Sequence, residues 1–354
     1  TSDSVKLGNG LISWLKFIAE RLFFLRFEKD KSIRFLFNPG VFGSDISRHP
    51  LIQQADIVHL HWVNFGFLSV GDISAVTRLN KPIFWTLHDM WAFTGGCHHS
   101  GECEHFQQSC GECKFLKNPN PNDLSHRMWE AKKTGFASKN LHIITCSDWL
   151  GNRAKQSSIL GGHSVKTIPN AIDTEFFSPN ATKLGLDPTK KYVLFVAMRV
   201  NAPAKGFHLL KEALQFLDAS TTELLIVGGE VTEELPLKAH NFGQVSDPAQ
   251  MRDIYAVADV FVTPSLEENL PNTIMEAMAC GTACVGFEVG GIPEMIEHEK
   301  TGYVAKAFDP ADLAKGINWC LESPTSGLKS RERALQLYDQ SIVAQQHLDY
   351  YAQA

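Results

Sequence analysis

DVFVTPSLEENLPNTIMEAMACG, residues 259–281, is the stretch that decides the fold. Its opening apolar run, Asp259–Thr263, predicts a buried parallel strand. Pro271 favours the first turn of a helix, and Asn272 and Thr273 are residues that cap helices. A glycine at the end of the stretch favours the end of that helix. The stretch therefore predicts a strand, an acidic loop and a helix in that order.

The predicted loop and helix carry two carboxylates around a helix start. Glu268 lies in the loop, and Glu276 lies one turn into the helix. The backbone N–H groups of a helix start bind anions, most often phosphate. Because a carboxylate repels a bound phosphate, we expect the two glutamates to bind a neutral, hydroxylated group such as a ribose or a hexose. A ligand with both phosphate and sugar groups is a nucleotide sugar. The alternative, a solvated loop that only caps the helix, would explain one glutamate but not both.

The spacing of these glutamates resembles a family signature. Glu268, seven residues and Glu276, followed by Ala277-Met-Ala-Cys-Gly281, resemble the E-x7-E motif of retaining glycosyltransferases with the GT-B fold, family 4 in particular. The resemblance covers about residues 56–320. It implies an α/β protein with two Rossmann-like, doubly wound domains that face a cleft. It also implies sugar transfer from a nucleotide diphosphate-sugar to an acceptor hydroxyl, with retained anomeric configuration.

Composition and charge limit the class of protein. A length of 354 residues suffices for two ordinary domains, and 44% hydrophobic residues support a large core. The net charge of −6 argues against nucleic acid as the main partner, because nucleic-acid phosphates select basic protein faces. Cys146, Cys280 and Cys284 lie in or beside apolar segments, which favours a reducing, cytoplasmic location.

A very apolar segment, Leu11–Phe27, predicts a helix near the start of the sequence. The favoured interpretation is a core helix whose basic residues reach out to solvent, because the apolar residues are not confined to one stripe. The other is a helix on the inner face of the membrane that brings the enzyme to a lipid-linked acceptor. Gly8-Asn-Gly10 is a weak phosphate-loop signal, since no strand precedes it. Family 4 enzymes usually open with a strand and a glycine-rich loop, so we expect that segment to be missing or replaced.

Strands alternate with helices along the rest of the chain, which indicates βαβ units and parallel sheets. The strands predicted in the first half are Ile33–Phe37, Asp56–Trp62, Ile83–His88 and Leu141–Ser147. Those in the second half are Tyr192–Met198, Glu223–Gly228, Asn241–Val245, Asp259–Thr263 and Ala283–Phe287. A polar stretch separates the halves. We therefore place an acceptor-side domain at residues 1–182, joined by a C-terminal helix at about 338–354, and a nucleotide-sugar-binding domain at 183–337.

Doubly wound domains bind ligands outside the carboxyl ends of their strands. His88 ends a strand of the first half, in a segment that resembles the family 4 strand end whose histidine faces the transferred sugar. Arg199 and Lys205 follow the first strand of the second half, in a segment that resembles the family motif that grips the donor diphosphate. Two fixed cations would offset the negative charge that develops on a departing nucleoside diphosphate.

The resemblance implies further roles for the second half. Glu276 would accept hydrogen bonds from the ribose hydroxyls of a UDP- or GDP-sugar, and Glu268 would hold hydroxyls of the donor sugar. Backbone amides near Asn272 and Thr273 would stabilise the departing diphosphate together with the two cations. Val245 lies where the family contacts the base. No Asp-x-Asp occurs in the chain, so we expect no metal cofactor in catalysis; the departing phosphate would itself take the proton of the acceptor.

A cysteine cluster lies in the first half. Cys97, Cys103, Cys110 and Cys113 fall within seventeen residues. Four thiols this close are compatible with a structural zinc site, with two disulfides or with plain thiols in a loop. The surrounding segment, Thr86–Phe115, resembles a family 4 subgroup that assembles bacterial surface polysaccharides.

Two other functions stay open at this stage. One is a GT-B-fold epimerase, which acts on a sugar nucleotide without an acceptor. The other is a non-catalytic sugar- or nucleotide-binding module. For a transferase, the expected acceptor is a glycan or a lipid-linked saccharide. Donor consumption without an acceptor-linked product would identify the epimerase.

Overall fold

The computed structural model describes residues 10–180, 184–229, 231, 233–323 and 325–354. The chain forms two compact units that divide between Thr167 and Ile168, with the terminal Ala354 grouped with the first. The domain boundary expected between residues 182 and 183 lies outside the described residues, as do Gly8 and Asn9 of the weak phosphate-loop signal. None of the described helices combines the length and the apolar character needed to cross a bilayer.

The first unit contains a parallel sheet. Its strands are β1 Val58–Leu60, β2 Ile83–Leu87, β3 Leu141–Thr145 and β4 Val165–Thr167, paired in chain order. Its helices are α1 Gly10–Phe24, α2 Pro50–Gln54, α3 Val70–Thr77, α4 Leu124–Gly135 and α5 Asp148–Gln156. Every residue of β2 is buried, as expected for a central strand covered on both faces.

The second unit contains a larger parallel sheet. Its strands are β5 Lys191–Val196, β6 Thr222–Val227, β7 Ala239–Asn241, β8 Val260–Thr263, β9 Ala283–Phe287 and β10 Gly302–Ala305, in the order β10-β9-β8-β5-β6-β7. Its helices are α6 Phe207–Leu214, α7 Pro248–Val257, α8 Asn272–Ala279, α9 Ile292–Met295, α10 Pro310–Glu322, α11 Ser326–Leu337 and α12 Gln340–Tyr351. Both predicted parallel α/β halves are therefore present.

The segment after Thr167 packs within the second unit. The N–H of Ile172 donates to the carbonyl of Tyr338 at 2.8 Å, and the N–H of Gln340 donates to the carbonyl of Ile172 at 3.1 Å. Arg331 in α11 donates to the carbonyl of Phe177 at 3.1 Å. These hydrogen bonds explain why residues 168–180 and α12 are grouped with the second unit, whereas the sequence had placed both with the first.

Two expected strands differ from the structure. In place of a strand at Ile33–Phe37, a 3₁₀ turn forms at Lys31–Ile33, because the carboxylate of Asp30 accepts the N–H of Ser32 and so favours a turn. A strand was expected at Asn241–Val245, but β7 ends at Asn241, the first residue of that range. There the Asn241 side chain accepts the N–H of Gly243, whose φ of 62° is left-handed.

Candidate active site

The sheet of the second unit reverses its direction of winding between β5 and β8. From β5 the chain adds β6 and β7 on one side, and β8, β9 and β10 on the other. Because the loops after β5 and β8 leave the sheet in opposite directions, they open a crevice at the carboxyl ends of these strands, where doubly wound sheets bind ligands. Arg199 and Lys205 lie in the first loop and Glu268 lies in the second.

Close backbone contacts hold the acidic loop after β8. The N–H of Leu266 donates to the carbonyl of Ala204 at 2.8 Å. Gly206 and Gly290 have left-handed φ values of 67° and 56°. A Cβ on Gly206 would lie 1.8 Å from a carbonyl oxygen at the start of the loop, and one on Gly290 would lie 1.6 Å from the carbonyl oxygen of Glu268. Only glycine permits both features, so the loops on either side fix the position of Glu268.

Lys205 and Glu268 form an ion pair across the crevice. The Nζ of Lys205 lies 2.7 Å from Oε2 of Glu268, and the two side chains are 39% and 18% exposed. A pair this exposed adds only about 0–1 kcal/mol to stability. The ion pair matters for position instead, because it holds a cation and a carboxylate side by side at the switch point, where the winding of the sheet reverses between β5 and β8.

Glu276 is held by a tyrosine that sequence reasoning missed. The fully buried Tyr255 of α7 donates its hydroxyl hydrogen to Oε2 of Glu276 at 2.8 Å. Burial raises the pKa of Glu276, and the hydrogen bond from Tyr255 offsets part of that rise. Thr282 in turn donates to the carbonyl of Tyr255 at 2.6 Å. No local pattern marks Tyr255, because its partner lies on the next helix of the chain.

The start of α8 is not capped as expected. Pro271 is the N-cap residue, and its side chain caps no N–H group. Asn272 instead accepts a hydrogen bond from the Asn170 side chain at 3.0 Å, so the predicted capping by Asn272 or Thr273 is wrong. A helix start that receives no capping oxygen from its N-cap residue leaves its first amides directed outward, as an anion site requires.

Two other residues predicted on the donor side lie in loops. Arg199 is exposed, and it makes no ion pair with any residue that the structure describes. Val245 is half-buried and lies between β7 and α7 rather than on a strand. Within the described ranges, the Arg199 side chain makes no hydrogen bond to Glu268, whose Oε2 accepts from Lys205.

Histidines cluster at the carboxyl ends of β1 and β2 in the first unit. Nδ1 of His61 lies 3.4 Å from Nε2 of His88, and their rings stack with centroids 5.6 Å apart. The Sγ of Cys146, just after β3, lies 3.5 Å from Nδ1 of His88. Burial lowers the pKa of His88, and Asp89 offsets part of that shift. A neutral His88 can therefore donate and accept hydrogen bonds at this strand end.

An aspartate and a histidine form a buried pair next to this cluster. Nδ1 of His98 lies 2.8 Å from Oδ2 of Asp89, and the His98 ring stacks on Trp62 and Phe65 at 5.3 and 5.5 Å. Burial by itself would raise the pKa of Asp89, but His98 and the N–H of Trp91 together lower it. The ionised Asp89 thus fixes the imidazole with its proton on Nδ1. No role for His98 was predicted from the sequence.

The clustered cysteines are all thiols, namely Cys97, Cys103, Cys110 and Cys113. Burial raises the pKa of Cys110 to about 12 and that of Cys113 to about 11. Among the residues that the structure describes, no group of three or more His, Cys, Asp or Glu side chains is arranged to hold a metal ion. The geometry therefore gives the zinc assignment no support, and zinc stays a prediction.

Comparison with known proteins identifies the second unit. Residues 190–323 match the family described as "Glycosyl transferases group 1". This match covers β5 to α10, and so includes Lys205, Glu268 and Glu276. The predicted transferase class of this domain is confirmed.

Two of the curated relatives are named as a synthase and a glycosyltransferase. The chain is 29% identical over 254 residues to alpha-maltose-1-phosphate synthase of Mycobacterium tuberculosis, which covers 62% of this chain and 65% of that protein. It is 29% identical over 180 residues to D-inositol 3-phosphate glycosyltransferase of Segniliparus rotundus, covering 45% of this chain and 40% of that protein. The chain thus spans less than two thirds of the length of these relatives.

Solved structures confirm the predicted fold class. Sucrose-phosphate synthase from Thermosynechococcus elongatus aligns with a TM-score of 0.62 at 20% identity, covering 84% of this chain and 73% of that one. Anabaena Alr3699/HepE in complex with UDP and glucose aligns with a TM-score of 0.59 at 18% identity, covering 89% of this chain and 84% of that one. The chain has the GT-B fold, built from two Rossmann-like α/β domains.

Proposed function

We propose that this chain is a retaining glycosyltransferase of family 4 that moves a sugar from a UDP- or GDP-sugar to a hydroxyl of a glycan or lipid-linked saccharide. One observation carries the proposal. Glu268 and Glu276 flank a single strand–helix turn at the switch point of the second sheet, and Lys205 is ion-paired to the first of them. The group 1 domain covers the same turn, and a structural neighbour is named as a complex with UDP and glucose, which support a nucleotide-sugar donor.

The proposed donor lies against the acidic turn. Glu276, oriented by Tyr255, accepts hydrogen bonds from the ribose hydroxyls, and Glu268 accepts hydrogen bonds from the donor sugar. Lys205 contacts the diphosphate while keeping its carboxylate partner, and the exposed Arg199 closes on the same anion. The first amides of α8 complete the anion site.

The chemical step then needs no protein base. The bond between the anomeric carbon and the diphosphate oxygen breaks, and the acceptor oxygen forms the new glycosidic bond on the same face of the sugar. The acceptor proton passes to the departing phosphate oxygen. Fixed cations and amides stabilise the developing charge, so we propose that catalysis is independent of metal ions. His88 supplies a neutral hydrogen-bonding group for the donor sugar.

We place this activity in bacterial surface polysaccharide synthesis, in the cytoplasm at the inner face of the membrane. The resemblance of Thr86–Phe115 to a polysaccharide-assembling subgroup supports the pathway class. Cys146, Cys280 and Cys284 are buried thiols, which suits a reducing compartment.

Calorimetric titration with a panel of UDP-, GDP- and ADP-sugars tests the donor assignment. We expect one donor to bind, and we expect Glu276→Ala to weaken that binding at least roughly tenfold, because a charge-assisted hydrogen-bond acceptor is lost. Glu322→Ala, at an exposed position of α10, is the control and should bind like the wild type. The proposal fails if no nucleotide sugar binds, or if Glu276→Ala binds equally well.

Turnover assays separate the alternative functions. With the donor in hand and simple glycosides as acceptors, the anomeric coupling constant of the product in a proton NMR spectrum reports retention or inversion. An epimerised donor without a glycosylated acceptor would identify an epimerase instead. Donor binding without any turnover would identify a binding module. Unchanged activity in the presence of EDTA is the expected result for a metal-independent enzyme.

A further inference from the structure

A half-exposed tryptophan lies beside the histidine cluster of the first unit. Trp62 is two residues past the end of β1, and it is 51% exposed. It lines a small cavity at the carboxyl ends of β1 and β2 together with His61, His88 and Asp89. Because doubly wound domains bind ligands at such strand ends, the indole lies where a ligand of this unit would meet it.

Stacked rings hold the indole of Trp62 in place. It stacks on His98 with ring centroids 5.3 Å apart, and on Phe65 with centroids 6.1 Å apart. Nδ1 of His98 lies 2.8 Å from Oδ2 of Asp89, and the N–H of His98 donates to the carbonyl of Leu36 at 3.0 Å. The support of the indole is therefore itself fixed by the fold. An aromatic ring that is ordered before binding loses little conformational entropy when a ligand packs against it.

The same support leaves one buried nitrogen unsatisfied. His98 is only 6% exposed, and its Nε2 makes no hydrogen bond to any residue that the structure describes. Because Asp89 holds the ring proton on Nδ1, Nε2 has a lone pair and accepts hydrogen bonds. A buried acceptor without a donor is unfavourable. A hydroxyl group of a ligand next to Trp62 would supply the missing donor.

The charge of this cavity favours a neutral ligand. Among the described residues that line it, none is a lysine or an arginine, and the carboxylate of Asp89 would repel a phosphate. Burial lowers the pKa of His88, which favours the neutral imidazole. An aromatic face beside neutral hydrogen-bonding groups suits a sugar, whose C–H face packs on the ring while its hydroxyls form hydrogen bonds.

We propose that Trp62 is the stacking platform for a pyranose ring of the acceptor saccharide. The C–H face of the sugar packs on the exposed part of the indole, and its hydroxyls hydrogen-bond to His61 and to Nε2 of His98. Nδ1 of His61 lies 3.4 Å from Nε2 of His88, the residue assigned to the donor sugar. A sugar on Trp62 thus has a hydroxyl beside the sugar that is transferred, as the reaction requires. This inference rests on the proposed function and adds the residue that selects a sugar ring as acceptor.

Transfer kinetics test the assignment of Trp62. The acceptors are the methyl glycosides of glucose, galactose and mannose, used with the donor that calorimetry identifies. We expect Trp62→Ala to raise the acceptor KM at least roughly tenfold, because the stacking face is lost. The donor KM and the rate of donor hydrolysis without an acceptor should stay within about twofold of the wild type, which a general structural defect would not allow. Trp62→Phe should recover most of the acceptor affinity, because it keeps an aromatic face.

The matched control is a second tryptophan of the same unit. Trp14 of α1 is 56% exposed, and Trp14→Ala should keep the wild-type acceptor KM. Circular dichroism melts verify that each variant is folded. Saturation-transfer NMR with the same glycosides, in the absence of a donor, measures sugar binding by itself. We expect a signal from the wild type and from Trp14→Ala, and little or none from Trp62→Ala.

These measurements separate the failure of this inference from the failure of the proposed function. If no donor gives transfer, but the glycoside signal is present and depends on Trp62, the proposed function fails and the sugar site stands. If transfer occurs and Trp62→Ala keeps the wild-type acceptor KM, the inference is overturned while the proposed function stands. The inference is also overturned if no glycoside gives a signal with the wild type. A signal from uridine that depends on Trp62, in place of the glycoside signal, would overturn it too, since a base would then occupy the ring.

Discussion

Replacing Gly290 with alanine would test whether backbone contact holds the acidic loop in position. The new Cβ would lie 1.6 Å from the carbonyl oxygen of Glu268, well inside the 3.0 Å below which Cβ contacts are essentially never seen. The loop or the turn after β9 must therefore move by about an ångström or more. A displacement of that size at a positioning group costs roughly 100-fold in rate, or about 2.7 kcal/mol of barrier.

A second glycine of the same unit separates this effect from backbone strain. Gly185 has a comparable left-handed φ of 71°, and a Cβ there would meet nothing within 4 Å. Gly185→Ala should lose only about 1–2 kcal/mol of stability from strain. Its kcat/KM for the donor should stay at the wild-type value. Gly290→Ala should lose stability by a similar or larger amount and should also lose roughly 100-fold in kcat/KM.

The assay pairs thermal unfolding with steady-state kinetics, and the kinetics are run well below the Tm of the weaker variant. Isothermal titration with UDP provides a second measurement if turnover of Gly290→Ala is too slow to follow. Folded Gly290→Ala protein whose kcat/KM and UDP affinity both lie within twofold of wild type would refute the reasoning. A loss of activity in Gly185→Ala equal to that in Gly290→Ala would refute it as well, because strain alone would then explain both.

Three further predictions concern single side chains. Tyr255→Phe should raise the donor KM roughly tenfold, and the acid limb of the kcat/KM pH profile should move to higher pH, because the lost hydrogen bond no longer lowers the pKa of Glu276; an unmoved limb would contradict this. Lys205→Met should lower kcat/KM at least roughly 100-fold, because a cation that stabilises the departing diphosphate is lost. The free energy of unfolding should change by less than about 1 kcal/mol, since the ion pair of Lys205 with Glu268 is partly exposed. Activity near that of the wild type would remove Lys205 from the site. Burial raises the pKa of Glu20 above 4.5, against the opposing backbone hydrogen bonds, so its protonated form is favoured in the folded state. The free energy of unfolding of the wild type, relative to that of Glu20→Gln, should therefore be greatest below pH 4.5, fall as pH rises through the raised pKa and then level off. Urea unfolding of both proteins across that pH range tests the direction of this change.

Much of the fold follows from short-range signals in the sequence. The strand at Ala283–Phe287 has the predicted bounds, because an apolar run between turn residues is enough to specify a buried parallel strand. Helices α7 and α10 begin at Pro248 and Pro310, because a proline preceded by a capping aspartate specifies a helix start locally. The acidic turn with Glu268 was placed correctly between its strand and helix, because an apolar run marks the strand before it and a proline marks the start of the helix after it.

Only tertiary packing decided the contacts that give these residues their chemistry. The bond from Tyr255 to Glu276 depends on how two helices meet, and the approach of Gly290 to Glu268 depends on two loops that leave neighbouring strands. The direction of α1 depends on a buried carboxylate that binds backbone amides of a distant loop. A residue's neighbours in the chain encode its local conformation, but its partners across the fold are chosen by the packing free energy of the whole unit. The sequence therefore specified which groups stand at the strand ends, and the tertiary structure specified which of them touch.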